Sequence, residues 1–255
     1  MNVVVLAKYI PNPTGTPQLG EDFLLVREGV EGGLDPGDEP AIEAALEITE
    51  QAGGEVTVVS MGPEPAMEAV RKALSIGAHK GMVVTDDALR GSDTLATATV
   101  LSAAIQLQEF DLVLAAVEST DGYTGTLPQA LAEFLGVPAL TFARKLELGE
   151  GTIRIERQTE GGYQVVESSL PALVTVTAGA TTPRYPTLKG IMAAKQKPVE
   201  RLALADLGLS ADDVRATQSV TAVEDAPERQ AGEVIEDDGT AADRVVAFLK
   251  EAKVI

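Results

Sequence analysis

Cysteine is absent from this chain of 255 residues, and histidine occurs only once. The absence of cysteine excludes disulfide bonds, thiolate metal sites and thiol nucleophiles, and a single histidine removes most histidine chemistry. That histidine, His79, lies in the stretch GAHKG, which has the composition of a solvated turn. We therefore expect no metal site and no catalysis by cysteine or histidine.

Positive charge is also scarce. The chain has 20 Lys and Arg against 39 Asp and Glu, which gives a formal net charge of −19. Binding to nucleic acid depends on basic side chains that neutralise phosphates, so this balance argues against a nucleic-acid partner. No apolar run reaches the roughly eighteen residues that a membrane helix needs, and no basic stretch precedes an apolar one at the N-terminus. We expect a cytoplasmic protein without membrane insertion.

Short apolar runs alternate with helical patterns along most of the chain. The apolar runs show no polar alternation, which is typical of parallel strands covered on both faces. The predicted strands are Asn2 to Ala7, Glu55 to Ser60, Met82 to Thr85, Leu112 to Ala116 and Leu173 to Thr177, and helices are predicted to begin near Pro40, Pro63, Ser92 and Pro128. This order predicts an α/β fold with a doubly wound, mainly parallel sheet and right-handed crossovers.

A different pattern follows Pro138. Three segments nearly alternate in polarity between glycine-containing turns, which predicts an antiparallel ribbon inserted before the last core strand. The segments are Lys145 to Leu148, Thr152 to Gln158 and Tyr163 to Ser168. The stretch from Asp206 to Asp238 is acidic and weakly patterned, and a final helix is predicted from about Thr240 to Ala252. We expect an α/β domain over residues 1–198 with the ribbon at about 145–168, and an extended C-terminal arm over 199–255.

The stretch Asp111 to Gly136 (DLVLAAVESTDGYTGTLPQALAEFLG) is the most informative part of the sequence. A buried strand ends in a loop of small turn formers, whose glycines let backbone N–H groups approach a ligand closely. A helix with Pro128 near its start follows at once, and its positive end suits a phosphate. In a parallel sheet the loops after the first four strands lie at one edge, where ligands bind. The sequence therefore predicts a nucleotide socket at this edge.

Other interpretations of the socket stay open. Glu118 and Asp121 could form an acid pair, and Lys8 or Arg184 could clamp a phosphate, as in a nucleotide-hydrolysing or adenylating enzyme. Solvated turn carboxylates are the simpler interpretation, because neither metal-ligand spacing nor a nucleophile and base accompanies them. A nucleotide-sensing module is a further alternative. An ordinary strand-to-helix turn is another, since both GxGxxG and GxxxxGK[ST] are absent.

A short amphipathic helix is predicted after residue 187. Leu188, Ile191 and Met192 fall at i, i+3 and i+4, which places them on one face. Lys189, Lys195 and Lys197 lie close by in the sequence and indicate a local basic surface. The apolar face could pack on the core or could receive a partner.

Several stretches of the chain resemble the beta subunit of electron transfer flavoproteins. The resemblance covers nearly the whole length and includes VLAKYI, VTVVSMGPEPAMEAVRKALSIGAHK and STDGYTG. Its most specific stretches are IERQTEGGYQVVESSLPALVTV and TPRYPTLKGIMAAKQKPVE. It implies an adenine-nucleotide-hydrolase-like Rossmann fold and an electron carrier without catalytic residues of its own. It also implies a heterodimer with a flavin-carrying alpha subunit, which passes electrons from acyl-CoA or other dehydrogenases, such as those of fatty acid beta-oxidation, to a quinone-linked acceptor.

The resemblance also assigns a ligand to the socket. It implies that this chain holds AMP as a structural ligand, whereas FAD is carried mainly by the alpha subunit. The implied AMP contacts are Ala7, Asp35, Met61, Ala116, Ser119, Thr120, Asp121, Gly122, Tyr123 and Thr124. Bifurcating relatives hold a second FAD in the same socket, so this alternative stays open.

Two partner contacts follow from the same resemblance. Leu188, Ile191 and Met192 match the recognition loop by which the family docks on dehydrogenases, with Leu188 as the anchor. Arg157 and Gln158 match an Arg-Glu pair whose acid holds an arginine of the mobile flavin domain. Because Gln158 is neutral, we expect a looser latch. The acidic arm and its final helix are expected to wrap the alpha subunit.

Overall fold

The computed structural model describes residues 1–27, 29–224, 232 and 234–255. The strands are β1 (Asn2–Leu6), β2 (Tyr9–Pro11), β3 (Gly32–Leu34), β4 (Glu55–Met61), β5 (Lys80–Val84), β6 (Leu112–Ala116), β7 (Ala139–Leu148), β8 (Thr152–Thr159), β9 (Gly162–Ser169), β10 (Ala172–Val176) and β11 (Val199–Leu202). The helices are α1 (Glu39–Ala52), α2 (Ala66–Ile76), α3 (Thr94–Ile105), α4 (Leu127–Leu135), α5 (Leu188–Ala194) and α6 (Ala241–Glu251). The chain forms two compact units, residues 1–221 and 222–255.

Nine strands of the described chain form one sheet, in the order β11-β5-β4-β1-β6-β10-β7-β8-β9. Every pair from β11 to β7 is parallel. The two remaining pairs, β7 with β8 and β8 with β9, are antiparallel. The predicted α/β fold with a mainly parallel sheet and an antiparallel ribbon is therefore confirmed.

The sheet is covered on both faces, and β1 shows why its strands are apolar throughout. Val3 and Val5 belong to a hydrophobic cluster that includes side chains of α1 and α2. Val4 and Leu6 belong to a second cluster with side chains of α3 and α4. Successive side chains of a strand point to opposite faces, so a strand covered on both sides cannot alternate with polar residues.

Local signals set the ends of the helices. α1 has Pro40 in its first turn and ends at Gly53, whose φ is 75°. α4 has Pro128 in its first turn and ends at Gly136, whose φ of 67° is left-handed. The N–H groups of the first helical turn have no partner within the helix, so proline, which lacks an N–H, is tolerated there. Glycine adopts a positive φ without steric strain and therefore suits the residue after the last turn. The helix starts predicted near Pro40 and Pro128 are confirmed.

β7 begins earlier than the sequence pattern predicts, at Ala139 rather than near Lys145. Its first part pairs with β10 and its second part with β8, and both registers shift between these parts. Phe142 lies at this irregularity with a φ of 59°, and its N–H donates to Thr175 Oγ1 at 2.8 Å. A strand that changes partners through a bulge has no simple alternation, which explains why the pattern misses residues 139–144.

The sheet continues past residue 198, where the sequence predicts that the arm begins. β11 pairs in parallel with β5, from Val199 opposite Gly81 to Leu202 opposite Val84. Its two middle residues are exposed and charged, so the sequence VERL has the composition of a linker. The compact units divide between residues 221 and 222 instead.

The terminal unit contains α6 at the position predicted for the final helix. Val245, Val246 and Phe248 of this helix are 45%, 42% and 66% exposed. The acidic stretch predicted to be weakly patterned includes residues 225–231 and 233, which lie outside the described residues. None of the helices in the described ranges has the length and apolar character to cross a membrane.

A charged network joins the segment after β10 to α1. The guanidinium of Arg184 donates to both carboxylate oxygens of Glu43, at 2.7 to 3.0 Å, and also to Glu50. The hydrogen bonds that Arg184 donates to Glu50 and Glu43 raise the pKa of Arg184. The Glu43 side chain is only 5% exposed. A buried carboxylate of this kind is strongly destabilising once its cation is removed.

We expect Arg184→Met to lower the free energy of unfolding by about 3 kcal/mol, because it leaves Glu43 buried without a cation. Denaturant titration measures this difference. Arg215→Met is the matched control, since it removes a pair with Asp212 in which both side chains are exposed; such a pair contributes less than about 1 kcal/mol. Equal effects of the two variants would contradict the proposed role of the Glu43 pair.

Candidate functional site

The loops that follow β1, β4 and β6 meet at one edge of the sheet. β1 lies between β4 and β6. The chain passes from β1 to β4 and β5 on one side of β1 and then crosses to β6 on its other side, so the strand order reverses at β1. Ligands of open α/β sheets bind beyond the carboxyl ends of the strands at such a switch in strand order. The structure therefore brings together Ala7, Met61 and Ala116, which lie at or next to these three strand ends.

Asp35 ties the turn before α1 to the loop after β6. Its carboxylate is fully buried and accepts hydrogen bonds from Thr120 N at 2.7 Å, Thr120 Oγ1 at 2.9 Å and Gly37 N at 2.8 Å. A Cβ at Gly37 would lie 3.2 Å from Asp35 Oδ1, so the turn has little room for a larger residue. Because both carboxylate oxygens already have partners, Asp35 shapes the loop rather than presenting a free charge.

Asp121 lies at the centre of an ion cluster. Lys8 Nζ is 2.7 Å from its Oδ1, Arg27 Nη2 is 2.5 Å from its Oδ2, and the Asp121 side chain is 4% exposed. Lys8 Nζ also donates to Ser119 Oγ at 3.1 Å. Burial opposes the ionisation of Asp121, but the charges of Lys8 and Arg27 outweigh it and lower the pKa of this carboxyl. The sequence motifs give no sign of Arg27, because it reaches the site from a loop without a motif of its own.

Asp38 is a second residue that the motifs do not reveal. It is 5% exposed, and its Oδ2 accepts the backbone N–H of Lys8 at 2.7 Å. It precedes α1 but its side chain makes no capping hydrogen bond to that helix. Burial and then repulsion by Asp35 raise the pKa of Asp38 well above its ordinary value. An acidic residue just before a helix ordinarily predicts a helix N-cap. The sequence around Asp38 therefore predicts capping of α1 rather than the hydrogen bond from Lys8 that the structure shows.

The middle of the loop after β6 is open to solvent. Gly122, Tyr123 and Thr124 are exposed, and Tyr123 and Gly125 have positive φ values of 48° and 62°. The loop leads directly into the first turn of α4, where backbone N–H groups have no partner within the helix. A loop of small residues followed by a helix N-terminus is suited to a phosphate.

The acid–base candidates of a hydrolase are committed to other contacts. Asp121 is held by both Lys8 and Arg27, and Arg184 is held by Glu43 and Glu50 of α1. Glu118 is exposed. The described part of the chain holds no group of three or more His, Cys, Asp or Glu suited to a metal ion. These pairs leave Asp121 and Arg184 committed within the protein rather than available as a general base and a phosphate clamp.

α5 presents its apolar side chains to solvent. Leu188 is 78% exposed, Ile191 43% and Met192 60%, so this face does not pack on the core. The helix instead contacts α2 through Gly190, where a Cβ would collide with the carbonyl oxygen of Ser75. This close approach explains why a glycine stands inside a short helix. The exposed apolar face forms a candidate docking surface, consisting of Leu188, Ile191 and Met192.

Lys197 does not belong to the predicted basic surface. Its Nζ donates to the carbonyls of Leu74 at 2.9 Å and Ala78 at 2.6 Å, at the C-terminal end of α2, and burial lowers its pKa. Cations near the C-terminus of a helix satisfy carbonyls that lack helical partners. Lys189 and Lys195 remain exposed beside the docking surface.

Arg157 and Gln158 lie on β8, away from the socket in the strand order. Arg157 Nε donates to the carbonyl of Thr141 at 3.1 Å. Gln158 is exposed and stands opposite Tyr163 of β9. The ribbon therefore presents Gln158 to solvent on a surface separate from both the socket and α5.

Comparisons with known proteins agree on one family. The model of the electron transfer flavoprotein domain matches residues 22–207. The electron transfer flavoprotein subunit beta of Mycobacterium tuberculosis (strain H37Rv) is 41% identical over 264 residues, which cover 100% of this chain and 99% of that protein. The protein of the same name from Clostridium acetobutylicum is 35% identical over 98% of both chains. Caffeyl-CoA reductase-Etf complex subunit CarD of Acetobacterium woodii is 35% identical over 100% of both.

We expect Asp38→Asn to stabilise the protein relative to the wild type, and increasingly so as the pH rises. The folded wild type holds the Asp38 proton more tightly than the unfolded chain, so stability is lost as the pH rises from the unfolded pKa through the raised folded pKa. Asparagine keeps an acceptor for Lys8 N and cannot ionise. Urea titrations of both proteins at several pH values measure the difference.

Asp213→Asn provides a control of opposite sign. Hydrogen bonds from Ser210 lower the pKa of Asp213, so this variant loses stability that the wild type has above the unfolded pKa. A stability gain in Asp38→Asn that does not grow with pH would contradict the raised pKa.

Proposed function

The chain belongs to the electron transfer flavoprotein beta-subunit family, and we propose that it holds AMP and docks on dehydrogenases within a heterodimeric electron carrier. Proteins of this family carry electrons, and a beta subunit works together with an alpha subunit. The observation that carries the proposal is the socket where the loops after β1, β4 and β6 meet. We assign no catalytic residue to this chain.

Some residues of the proposed AMP site would contact the nucleotide, and others would hold the contacting loop in position. Ala7, Met61 and Ala116 form its floor at the strand ends, and the loop residues Ser119, Thr120, Gly122, Tyr123 and Thr124 supply backbone and hydroxyl groups next to the N-terminus of α4. Asp35 and Asp121 hold this loop through Thr120 and the two cations. Because the loop is already held in place, less conformational entropy is lost when it binds a phosphate.

We place the redox flavin in the alpha subunit. A second FAD in this chain is the alternative, and FAD contains an adenosine monophosphate half that the same residues would hold. We propose the structural AMP because the resemblance of the sequence to the family implies it. Identification of the bound nucleotide separates the two cases.

The docking surface on α5 is proposed to contact electron donors. Its exposed apolar side chains are accompanied by the exposed Lys189 and Lys195, an arrangement of an apolar anchor with charged neighbours. We propose acyl-CoA or related dehydrogenases as donors and a quinone-linked protein as acceptor. The name of the Acetobacterium woodii relative joins an Etf complex to a reductase of a CoA thioester, which supports this class of partner.

Two further regions are proposed to contact the alpha subunit. The apolar face of α6 is exposed within the terminal unit and would gain from burial on another chain. Arg157 and Gln158 are proposed to hold the flavin domain. A neutral hydrogen bond from Gln158 is about half as strong as a charge-assisted one, so this latch is weaker than one made by glutamate.

Affinity purification of this chain from its native cells tests the proposal. We expect a second polypeptide, a flavin absorption band that is lost from this chain when the partner is stripped away, and AMP released from the denatured complex. Asp35→Ala should reduce the AMP recovered because it frees Thr120, while the flavin of the partner stays bound. FAD retained by the isolated chain would favour the second-FAD alternative. A colourless single chain that hydrolyses or reversibly binds ATP would overturn the proposal.

We expect Leu188→Ala to weaken docking on a dehydrogenase by about 2 kcal/mol, or roughly thirtyfold, because an anchor residue contributes a large share of binding energy. The dissociation constant of the heterodimer and a donor dehydrogenase measures this effect, and AMP content should not change. Leu107→Ala is the matched control, since Leu107 is a 52% exposed leucine outside the docking surface. Equal affinities of the two variants would remove Leu188 from the contact.

A further inference from the structure

The segment between β2 and β3 is fastened to two different loops at the socket edge. Its base is closed by a hydrogen bond from Asn12 N to Glu31 O at 2.9 Å. Further along, Asp22 pairs with Arg90 of the loop after β5, at 3.2 Å. Arg27 pairs with Asp121 of the loop after β6, at 2.5 Å. Residues 22–27 therefore reach from one loop to the other.

The strand order shows what lies beneath residues 22–27. β4 and β1 separate β5 from β6 in the sheet. Three strand spacings of about 4.8 Å give a distance of about 14 Å. The backbone turns at residues 20–24, where Phe23 N donates to Gly20 O at 3.0 Å and Gly20 N donates to Leu24 O at 2.8 Å, so the long side chains of Arg90 and Arg27 cover part of this distance. The two pairs of the segment, with the loop after β5 and the loop after β6, therefore bracket the carboxyl ends of β4 and β1, where Met61 and Ala7 lie in the proposed site.

The two ends of the crossing are held unequally. Arg90 and Asp22 are 71% and 43% exposed, whereas Asp121 is 4% and Arg27 32% exposed. Exposed ion pairs contribute little, because water and salt screen them. A carboxylate that is removed from water and shared by two cations holds its partners more firmly. The pair between Arg27 and Asp121 therefore contributes more to fixing the segment than the pair between Asp22 and Arg90.

Because Lys8 also pairs with Asp121, the contact made by Arg27 can be removed while the rest of the site keeps its own contacts. Lys8 binds the other oxygen of Asp121, from the loop after β1. If Arg27 loses its charge, Asp121 keeps one cation, so the loop after β6 retains its anchor to Lys8. The loss of Arg27 thus releases the crossing segment without leaving Asp121 buried and unpaired.

We propose that residues 22–27 form a strap over the bound nucleotide, and that Arg27 is the positioning residue that keeps the strap closed through Asp121. The inference rests on the proposed function, in which the socket holds AMP. The strap slows the release of AMP, because the nucleotide leaves only after the Arg27–Asp121 pair opens. A slow release is consistent with a ligand that stays in place as a structural part of the protein.

The dissociation of radiolabelled AMP from the intact heterodimer, chased with unlabelled AMP, tests the strap. Arg27→Met should accelerate release roughly tenfold, the effect of losing one close ion pair at a partly buried site. Arg27→Lys should restore most of the retention. The double variant with Asp121→Asn should release AMP no faster than the faster of the two single variants. Arg90→Met, which removes the exposed pair, should stay within about twofold of the wild type.

Hydrogen exchange of residues 16–27 separates failure of the strap from failure of the AMP site. Exchange should be faster in Arg27→Met than in the wild type and unchanged in Lys72→Met, which alters an exposed lysine of α2. If the wild type retains AMP but Arg27→Met changes neither release nor exchange, the strap is wrong and the proposed function stands. If the wild type binds no AMP, the proposed function fails, and faster exchange in Arg27→Met still supports closure of the segment by Arg27.

Discussion

Parallel pairing of β1 between β4 and β6 positions the loops around which the socket is built. Because the three strands run in the same direction, their following loops leave the sheet at one edge. Both faces of the sheet are covered by helices, so the strands carry apolar side chains and the polar groups collect in these loops. Lys8, Asp35 and Asp121 come from three separate loops, and the sheet brings them within hydrogen-bonding range of one another or of shared neighbours.

Three acids at this edge are paired, hydrogen-bonded or buried within the protein. Asp35 is satisfied by Thr120 and Gly37, Asp121 is shared by two cations, and burial favours the protonated form of Asp38 by raising its pKa. Unpaired carboxylates would repel a phosphate, and the chain as a whole carries a formal charge of −19. Pairing and burial remove this conflict locally, so an acidic protein can offer a site for an anionic nucleotide.

The docking surface depends on packing rather than on its own composition. Gly190 allows α5 to lie close against α2, and Arg71 and Lys197 hold the end of α5 through its carbonyls and those of α2. With this contact satisfied through backbone groups, the apolar side chains of α5 are left facing solvent. Leu188 therefore stands on a helix that is fastened to α2, an arrangement that gives an anchor a defined position before its partner arrives.

The sequence alone determined the alternation of strands and helices, the apolar strands such as β1 and β6, and the helix starts at Pro40 and Pro128. These features follow from periodicity and backbone preference, which are recorded within a few neighbouring residues. The tertiary structure decided that VERL is an edge strand, that Asp38 is buried, that Lys197 caps α2 and that Arg27 reaches Asp121. Each of these depends on residues far apart in the chain, and a local pattern carries no information about which distant side chains will meet.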